Sequence, residues 1–190
     1  LRALSPYKIV QLDTTDEESI LRAAADLKDE AIDLVINNAG ITIGGGLDVT
    51  TKAEMLQQFD VNCVGPFLVT RAFIPHLKAA VSLRGAASVV QVSSYLSSIA
   101  LNVGGMFGCY GYRASKAALN MTMVSLALDL QSDGIATFAI HPGHVSTDIN
   151  NYTGEISLDT SVGGMVPLIQ KLTIADTGKF YDYNGNSLPW

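Results

Sequence analysis

The sequence predicts an α/β fold built on a parallel β-sheet. Short apolar segments alternate with longer segments of helical periodicity, which is the pattern of repeated strand–helix units. Residues 32–37 are nearly continuous in apolar character, as in a strand buried on both faces. Of the 190 residues, 48% are hydrophobic and 16% are charged, a balance that favours a folded core over a disordered chain.

The elements follow one another without an internal repeat or a linker, so we expect residues 1–190 to form one domain. Strands are predicted over residues 8–13, 32–37, 88–92, 135–140 and 180–183. Helices are predicted over residues 17–29, 51–80, 114–130 and 160–172. Pro66 and Pro75 predict a break or kink in the second helix, because an interior proline removes a hydrogen bond.

Composition argues against several classes of function. The net charge is -6 with no block of like charge, whereas a nucleic-acid groove would need a basic face. No apolar run reaches the ~20 residues of a membrane span. Cys63 and Cys109 cannot form a disulfide framework and fit free thiols in the cytoplasm. The three histidines lack the spacing of metal ligands, so we expect no metal site.

The most specific local feature is the pair Tyr112 and Lys116. Residues four apart share one face of a helix, so the ammonium is expected beside the phenol. A nearby ammonium stabilises a phenolate and lowers its pKa, which would suit the tyrosine to donate a proton to a carbonyl oxygen. Such a pair also arises by chance in many helices, so it needs support from other motifs.

That support comes from polar or glycine-rich segments that follow three predicted strands. Ser93 and Ser94 come directly after one strand, residues 37–40 (NNAG) after another, and residues 142–148 (PGHVSTD) after a third. Each could be an ordinary turn. Because the carboxyl ends of parallel strands meet at one edge of the sheet, we expect all three to line the same ligand site. His144 is interpreted as a loop residue.

In this order the motifs resemble the short-chain dehydrogenase/reductase family. The matching stretches are NNAG, the FDVN run that ends at Asn62, VSS (92–94), YRASK (112–116) and PGHVSTD. The runs YRASKAALN, LDTSVGGMV and YDYNGNSLPW resemble the sniffer-type and C-signal-type carbonyl reductases within it. The resemblance implies a Rossmann-like doubly wound parallel sheet and an oxidoreductase that uses NAD or NADP, with NADP favoured, on a small carbonyl or alcohol substrate.

The resemblance also implies roles for individual residues. Tyr112 would be the general acid, Lys116 would lower its pKa and hold the ribose hydroxyls, and Ser94 would polarise the substrate carbonyl. Asn62 would hold a water that connects Lys116 to solvent. Asn37 looks structural. The residues implied to contact the cofactor are Asp13, Asn38, Ala39, Gly40, Tyr112, Lys116, Pro142, Gly143, Val145 and Thr147.

The chain departs from the family pattern between the serine and the tyrosine. The interval from Ser94 to Tyr112 is longer than usual, which an insertion near residues 102–109 would explain. Ser98 lies nearer the usual spacing, but the strand end favours Ser94. Tyr110 competes with Tyr112, yet the residue four positions after Tyr110 is Ala114 rather than a lysine.

A larger departure is the lack of a glycine-rich phosphate turn near the start of the sequence. Aligned on Asp13, residues 8–13 correspond to the family's third strand, so the fold is expected to be N-terminally incomplete, with its first two strands missing. Residues 8–13 should then lack a neighbour, and residues 32–37 should have one open edge. Either the parent protein has a leading segment, as we expect, or residues 8–13 pair directly with residues 32–37.

Two functions remain open at this point. The leading hypothesis is a carbonyl reductase or alcohol dehydrogenase, and the alternative is a non-catalytic or regulatory relative that lost the phosphate-binding loop. Apolar residues around positions 149–166 fit an apolar carbonyl substrate or ordinary core packing. The protein could be a monomer or a homo-oligomer.

Overall fold

A four-stranded parallel sheet forms the centre of the protein in the computed structural model, which describes residues 4–102 and 108–190. The strands lie in the order β1 (Leu34–Asn37), β2 (Ala87–Val92), β3 (Ile135–His141) and β4 (Phe180–Asp182). The helices are α1 (Glu17–Asp26), α2 (Lys52–Phe59), α3 (Gly65–Arg84), α4 (Tyr110–Leu130) and α5 (Leu158–Lys171). This is the predicted Rossmann-like α/β arrangement.

The predicted helix over residues 51–80 is two helices joined by a π-helical turn, Asp60–Val64. Thr51 begins α2 with a capping box, in which its hydroxyl accepts from the Glu54 N–H and the Glu54 carboxylate accepts from Thr51. Pro66 lies in the first turn of α3, where a missing N–H costs little. The predicted break is confirmed, and it falls at the segment that contains Asn62.

Helices cover both faces of the sheet. On one face, Leu77 of α3 and Leu126 of α4 pack with Val89 and Ile135. On the other face, residues of α5 pack against Phe138 and its neighbours on β2 and β3. Among the described residues, no helix has the length and apolar character needed to cross a bilayer.

The prediction of a strand over residues 8–13 is wrong. These residues have no strand structure and pair with none of the described strands. A surface pocket of about 570 Å³ lies beside this segment, and its lining includes Tyr7, Lys8 and Val10 as well as Asp33 and Leu34. The direct pairing of residues 8–13 with β1, the alternative raised by the sequence, is therefore not formed.

β1 is an edge strand in the described part of the chain, paired only with β2. Val35 packs toward α3, whereas Leu34 and Ile36 point to the opposite face and are 38% and 47% exposed. Apolar side chains on an open sheet edge are an association hazard unless something covers them. The open edge and the unpaired segment agree with the expectation from the sequence.

Candidate active site

The three motif-bearing loops leave the sheet at the same edge. In the parallel register Asn37 of β1 lies opposite Gln91 of β2, and Val92 of β2 lies opposite Ile140 of β3. The loops that begin at Asn38, Ser93 and Pro142 therefore emerge side by side. The Asn37 amide donates to Thr70 Oγ1 and to the Pro66 carbonyl, which fits its expected structural role.

Tyr112 and Lys116 lie on the first two turns of α4. The helix begins after Cys109, whose left-handed backbone (φ 56°) turns the chain into it. Lys116 is only 4% exposed, and its ammonium donates to the Val92 carbonyl at 2.7 Å. The ammonium lies 6.0 Å from the centroid of the Tyr112 ring. The lysine thus connects α4 to the end of β2.

Burial lowers the pKa of Lys116 from 10.5 to about 8, because the apolar surroundings disfavour the ammonium. The hydrogen bond to Val92 is the only one that the ammonium makes to a described residue, so two of its three protons have no partner among the described residues. Such a group can donate to a pair of hydroxyls on a bound ligand.

The pKa of Tyr112 is raised, and burial is the largest cause. A hydrogen bond from Ser94 acts in the opposite direction. Lys116 is not among the groups that move the pKa of this phenol, since its ammonium points at Val92. The lowering of the Tyr112 pKa by Lys116 therefore stays a prediction, and the raised pKa keeps Tyr112 a protonated phenol at neutral pH.

Ser94 occupies the position that the strand end predicted for it. It caps a short 3₁₀ helix, Tyr95–Ser97, and its hydroxyl accepts from the Leu96 N–H at 3.2 Å, which leaves its own proton for another acceptor. Ser98, the competing serine, instead accepts from the Leu101 N–H at 3.1 Å. The competing Tyr110 is the first residue of α4 and is 44% exposed.

Asn62 is fully buried and its amide connects three elements. Its Oδ1 accepts from the Ile41 N–H at 2.8 Å, and its Nδ2 donates to the Ile41 carbonyl at 2.8 Å and to Ser115 Oγ at 3.0 Å. Ser115 Oγ in turn donates to the Tyr112 carbonyl at 2.8 Å. Both amide protons are used, so the side chain cannot also donate to a water; the predicted water-holding role stays a prediction.

Gly40 brings the loop after β1 against the lysine. A Cβ on Gly40 would lie 3.2 Å from Asn62 Oδ1 and 3.4 Å from Lys116 Nζ, so a side chain here would crowd the Lys116 ammonium. Asn38 and Ala39 are exposed beside it. This narrow, open loop next to an ammonium with free protons fits the ribose and nicotinamide end of a dinucleotide.

The loop after β3 is held in one conformation by glycine and by α5. Gly143 has φ +90°, and a Cβ there would lie 2.4 Å from Ile156 Cδ1. The Pro142 carbonyl accepts from Ser161 Oγ at 2.6 Å. Val145 bridges to Ile156, and the Thr147 N–H donates to Asn150 Oδ1 at 3.2 Å. His144 is exposed, consistent with a loop residue.

The residues expected at the far end of the cofactor fit less well. Asp13 is exposed, and its carboxylate accepts from Thr15 N–H and Oγ1 at 2.9 and 2.7 Å, which lowers its pKa. No described contact joins Asp13 to Tyr112 or Lys116. The turn that leads into α1 contains no glycine, so the described residues match the ribose and nicotinamide end of a dinucleotide and not its diphosphate.

Sequence reasoning missed Ser115 and Asn120, two fully or nearly fully buried polar residues of α4. Asn120 lies four residues after Lys116 and contacts the serines that follow β2. Helical spacing could have placed it on the same face as Lys116. The predicted insertion near residues 102–109 falls largely on residues 103–107, which lie outside the described residues.

Comparison with known proteins agrees with this geometry. The sequence model of the family described as short chain dehydrogenase matches residues 2–156. The chain is 38% identical over 160 residues to C-signal of Myxococcus xanthus, which covers 84% of this chain and 93% of that protein. It is 32% identical over 185 residues to a 1-hydroxy-2-glutathionyl-2-methyl-3-butene dehydrogenase of a Rhodococcus species, over 94% of this chain and 78% of that protein.

Solved structures give the same result. The NADPH-bound carbonyl reductase from chicken fatty liver superposes with a TM-score of 0.89 at 34% identity, over 96% of this chain and 77% of that one. The carbonyl reductase Sniffer of D. melanogaster superposes with a TM-score of 0.90 at 32% identity over the same shares. The family match, the parallel sheet and the clustered motifs together establish that this chain belongs to the short-chain dehydrogenase family of oxidoreductases.

Proposed function

We propose that the protein reduces a small carbonyl substrate with NADPH, or oxidises the corresponding alcohol with NADP, and that Tyr112 is the general acid or base. The observation that carries the proposal is the meeting of Ser94, Tyr112 and Lys116 at one sheet edge, with Gly40 against the lysine. NAD is the alternative cofactor. We also propose that the protein is a single domain, that it is located in the cytoplasm, and that it is a monomer or a homo-oligomer.

Each side chain has a chemical task that follows from its surroundings. Tyr112 is a buried, protonated phenol, so it can give its proton to a carbonyl oxygen as negative charge develops there. Ser94 can donate a hydrogen bond to the same oxygen, because its own acceptor site is already used by Leu96. Lys116 can hold ligand hydroxyls with its two remaining protons. A bound nicotinamide supplies the hydride.

Similar proteins support the choice of cofactor and substrate class. One of the similar structures is an NADPH-bound carbonyl reductase, and another, a short-chain dehydrogenase/reductase of Burkholderia multivorans at 27% identity, has bound NADP. Several exposed apolar residues near the loop after β3, among them Ile149, Tyr152 and Leu158, could contact an apolar substrate. Met165 packs in the core instead.

Tyr112→Phe tests the proposal against the matched change Tyr110→Phe. NADPH oxidation is followed with a panel of aliphatic and aromatic aldehydes and ketones. Tyr112→Phe should lower turnover about 100-fold or more, because the proton donor is lost, while Tyr110→Phe should leave turnover unchanged. Full activity of Tyr112→Phe would show that the assigned mechanism is wrong.

A second candidate function is a non-catalytic or regulatory relative. The open edge of β1 and the glycine-free turn before α1 favour it, since a dinucleotide would lack part of its usual contacts here. The aligned region covers 84% of this chain and 93% of C-signal. This relative, whose name is that of a signal, is therefore similar in length to the present chain. Calorimetry of the 190-residue chain with NADPH and NADH separates the two candidates, and tight binding of either nucleotide would exclude the simple non-catalytic reading.

A further inference from the structure

The segment that carries Ser94 is fastened to α4 at two successive helical turns. At the first turn, Lys116 donates to the carbonyl of Val92, the last residue of β2. At the next turn, Asn120 reaches the two serines that flank Ser94, namely Ser93 and Ser97. The first connection belongs to the family motif. The second is made by Asn120, the last residue of the run YRASKAALN, to which the resemblance assigns no role.

The groups of this second connection are hydrogen-bonded to one another and buried from solvent. Ser93 Oγ donates to Asn120 Oδ1 at 2.6 Å, and Asn120 Nδ2 donates to Ser97 Oγ at 2.6 Å. Ser97 Oγ donates in turn to the main-chain carbonyl of Ser94. Ser93 is 2% exposed, and Ser97 and Asn120 are each 4% exposed. Water therefore cannot easily replace either bond to the asparagine.

Burying a polar network of this kind costs free energy, because its groups lose their contacts with water. Apolar side chains of similar size would avoid the desolvation of three polar groups, whereas a satisfied network fixes a particular geometry. The geometry fixed here is that of the backbone at Ser94, which is tied through Ser93 on one side and through Ser97 on the other. The network therefore acts on the one serine whose hydroxyl contacts Tyr112.

Asn120 also shares its helix with Tyr112. The phenol and the asparagine are both carried by α4, so the amide of Asn120 ties Ser94 to the helix that carries the proton donor. A shift of the loop after β2 would move Ser94 relative to Tyr112 unless something on α4 held it. Lys116 holds only the end of the strand, two residues before Ser94.

We propose that Asn120 is a positioning residue, which sets the distance between the Ser94 hydroxyl and the Tyr112 phenol through its hydrogen bonds to Ser93 and Ser97. Its importance for catalysis rests on the proposed function, but the positioning itself is a property of the protein without a ligand.

The direct test observes the Tyr112 phenol by nuclear magnetic resonance. The full chain carries carbon-13 label at the ζ position of tyrosine, and Tyr112→Phe identifies the resonance of Tyr112. At neutral pH this resonance responds to hydrogen bonding at the phenol oxygen. Ser94→Ala should move it, and Asn120→Ala should move it in the same direction and by no more. The double variant should move it no further than Ser94→Ala alone.

Leu126→Ala is the matched control, because it removes core packing from the same helix at a site away from Ser94. It should leave the Tyr112 resonance in place. Ser97→Ala breaks the same network from the other side, and it should reproduce the shift of Asn120→Ala; it serves as the test if Asn120→Ala fails to fold. An unmoved resonance in the folded variant, or an equal movement in Leu126→Ala, would overturn the proposal.

Steady-state kinetics provide a second test of the positioning role of Asn120. If the protein reduces carbonyl compounds, Asn120→Ala should lower kcat at least 10-fold with little change in the KM for NADPH. A loss confined to KM for the nucleotide would contradict a positioning role at Ser94. Absence of turnover in the unaltered protein would instead refute the proposed function and leave the resonance experiment interpretable.

Discussion

The Lys116 ammonium lies 2.7 Å from the Val92 carbonyl oxygen and 6.0 Å from the centre of the Tyr112 ring. In this arrangement the lysine is bound to the end of β2, and the largest causes of the shift in the Tyr112 pKa are burial and the hydrogen bond with Ser94. Tyr112 and Lys116, the pair that the sequence singles out, are both carried by α4. Each is buried, and burial shifts the pKa of each toward its neutral form.

Lys116 should make stability depend on pH in alkaline solution. Its pKa is about 8 in the folded protein and near 10.5 in an unfolded chain, so the unfolded chain binds more protons between these values. The free energy of unfolding should therefore rise with pH across this window, by roughly 3 kcal/mol for this group. Urea unfolding of the unaltered protein and of Lys116→Met at several pH values measures the difference. Parallel curves would contradict the assignment.

His141 should make the protein sensitive to acid. Burial lowers its pKa from 6.5 to about 4, and its Nδ1 is buried without a hydrogen-bond partner. The unfolded chain binds the proton first as the pH falls, so stability present above pH 6.5 is lost between about 6.5 and 4. His141→Phe keeps the ring contact with Tyr95 and should remove most of this loss, roughly 3 kcal/mol.

The control for that change is His144→Asn, at an exposed position three residues along. It should retain most of the acid sensitivity. Equal acid sensitivity of the unaltered protein and His141→Phe would show that other groups dominate the titration.

Gly111→Ala should destabilise the protein even though alanine favours helices. A Cβ on Gly111 would lie 2.3 Å from Gln58 Nε2 and 3.3 Å from the Met55 Cα, so α2 would have to move away from α4. We expect a loss of about 2 kcal/mol in the free energy of unfolding, as for overpacked cores. Displacement of Gln58 would also release the Ile43 N–H, which Gln58 Oε1 accepts at 2.8 Å.

Gly163→Ala is the matched substitution inside α5, where nothing lies within 4 Å of the added Cβ. It should raise the free energy of unfolding by about 0.5–1 kcal/mol, the usual gain over glycine in a helix. Changes of the same sign at both positions would show that the contact between Gly111 and Gln58 does not control the outcome.

Asn62→Ala should cost roughly 3 kcal/mol of stability. It would leave both the N–H and the carbonyl of Ile41 without their partner at a partly buried site, and an unpaired group away from water costs about 1–3 kcal/mol. Asn184→Ala makes the same change at an exposed side chain and should alter stability by less than about 0.5 kcal/mol. Chemical unfolding measures both, and similar costs would mean that the bridge to Ile41 contributes little.

The sequence alone predicted the parallel α/β fold, four of the five strands and the family. Those predictions rest on local patterns: residues 135–140 are apolar because β3 is buried on both faces, and Pro66 favours the start of a helix because a missing N–H is tolerated in the first turn. The strand end also predicted the position of Ser94, whose side chain hydrogen-bonds with Tyr112, since a strand end is a local feature that sets where the next side chains point. Its catalytic role stays a prediction.

The tertiary structure decided what depends on partners distant in the sequence. Residues 8–13 have the composition of a strand, but a strand needs a neighbour, and none of the described strands pairs with them. The spacing of Tyr112 and Lys116 placed both on one face of α4, whereas the Val92 carbonyl determined where the ammonium points. The direction of the Tyr112 pKa came from burial, which no spacing reveals. The hydrogen bonds of Asn120 likewise depend on tertiary structure, since its partners Ser93 and Ser97 lie in the segment that follows β2.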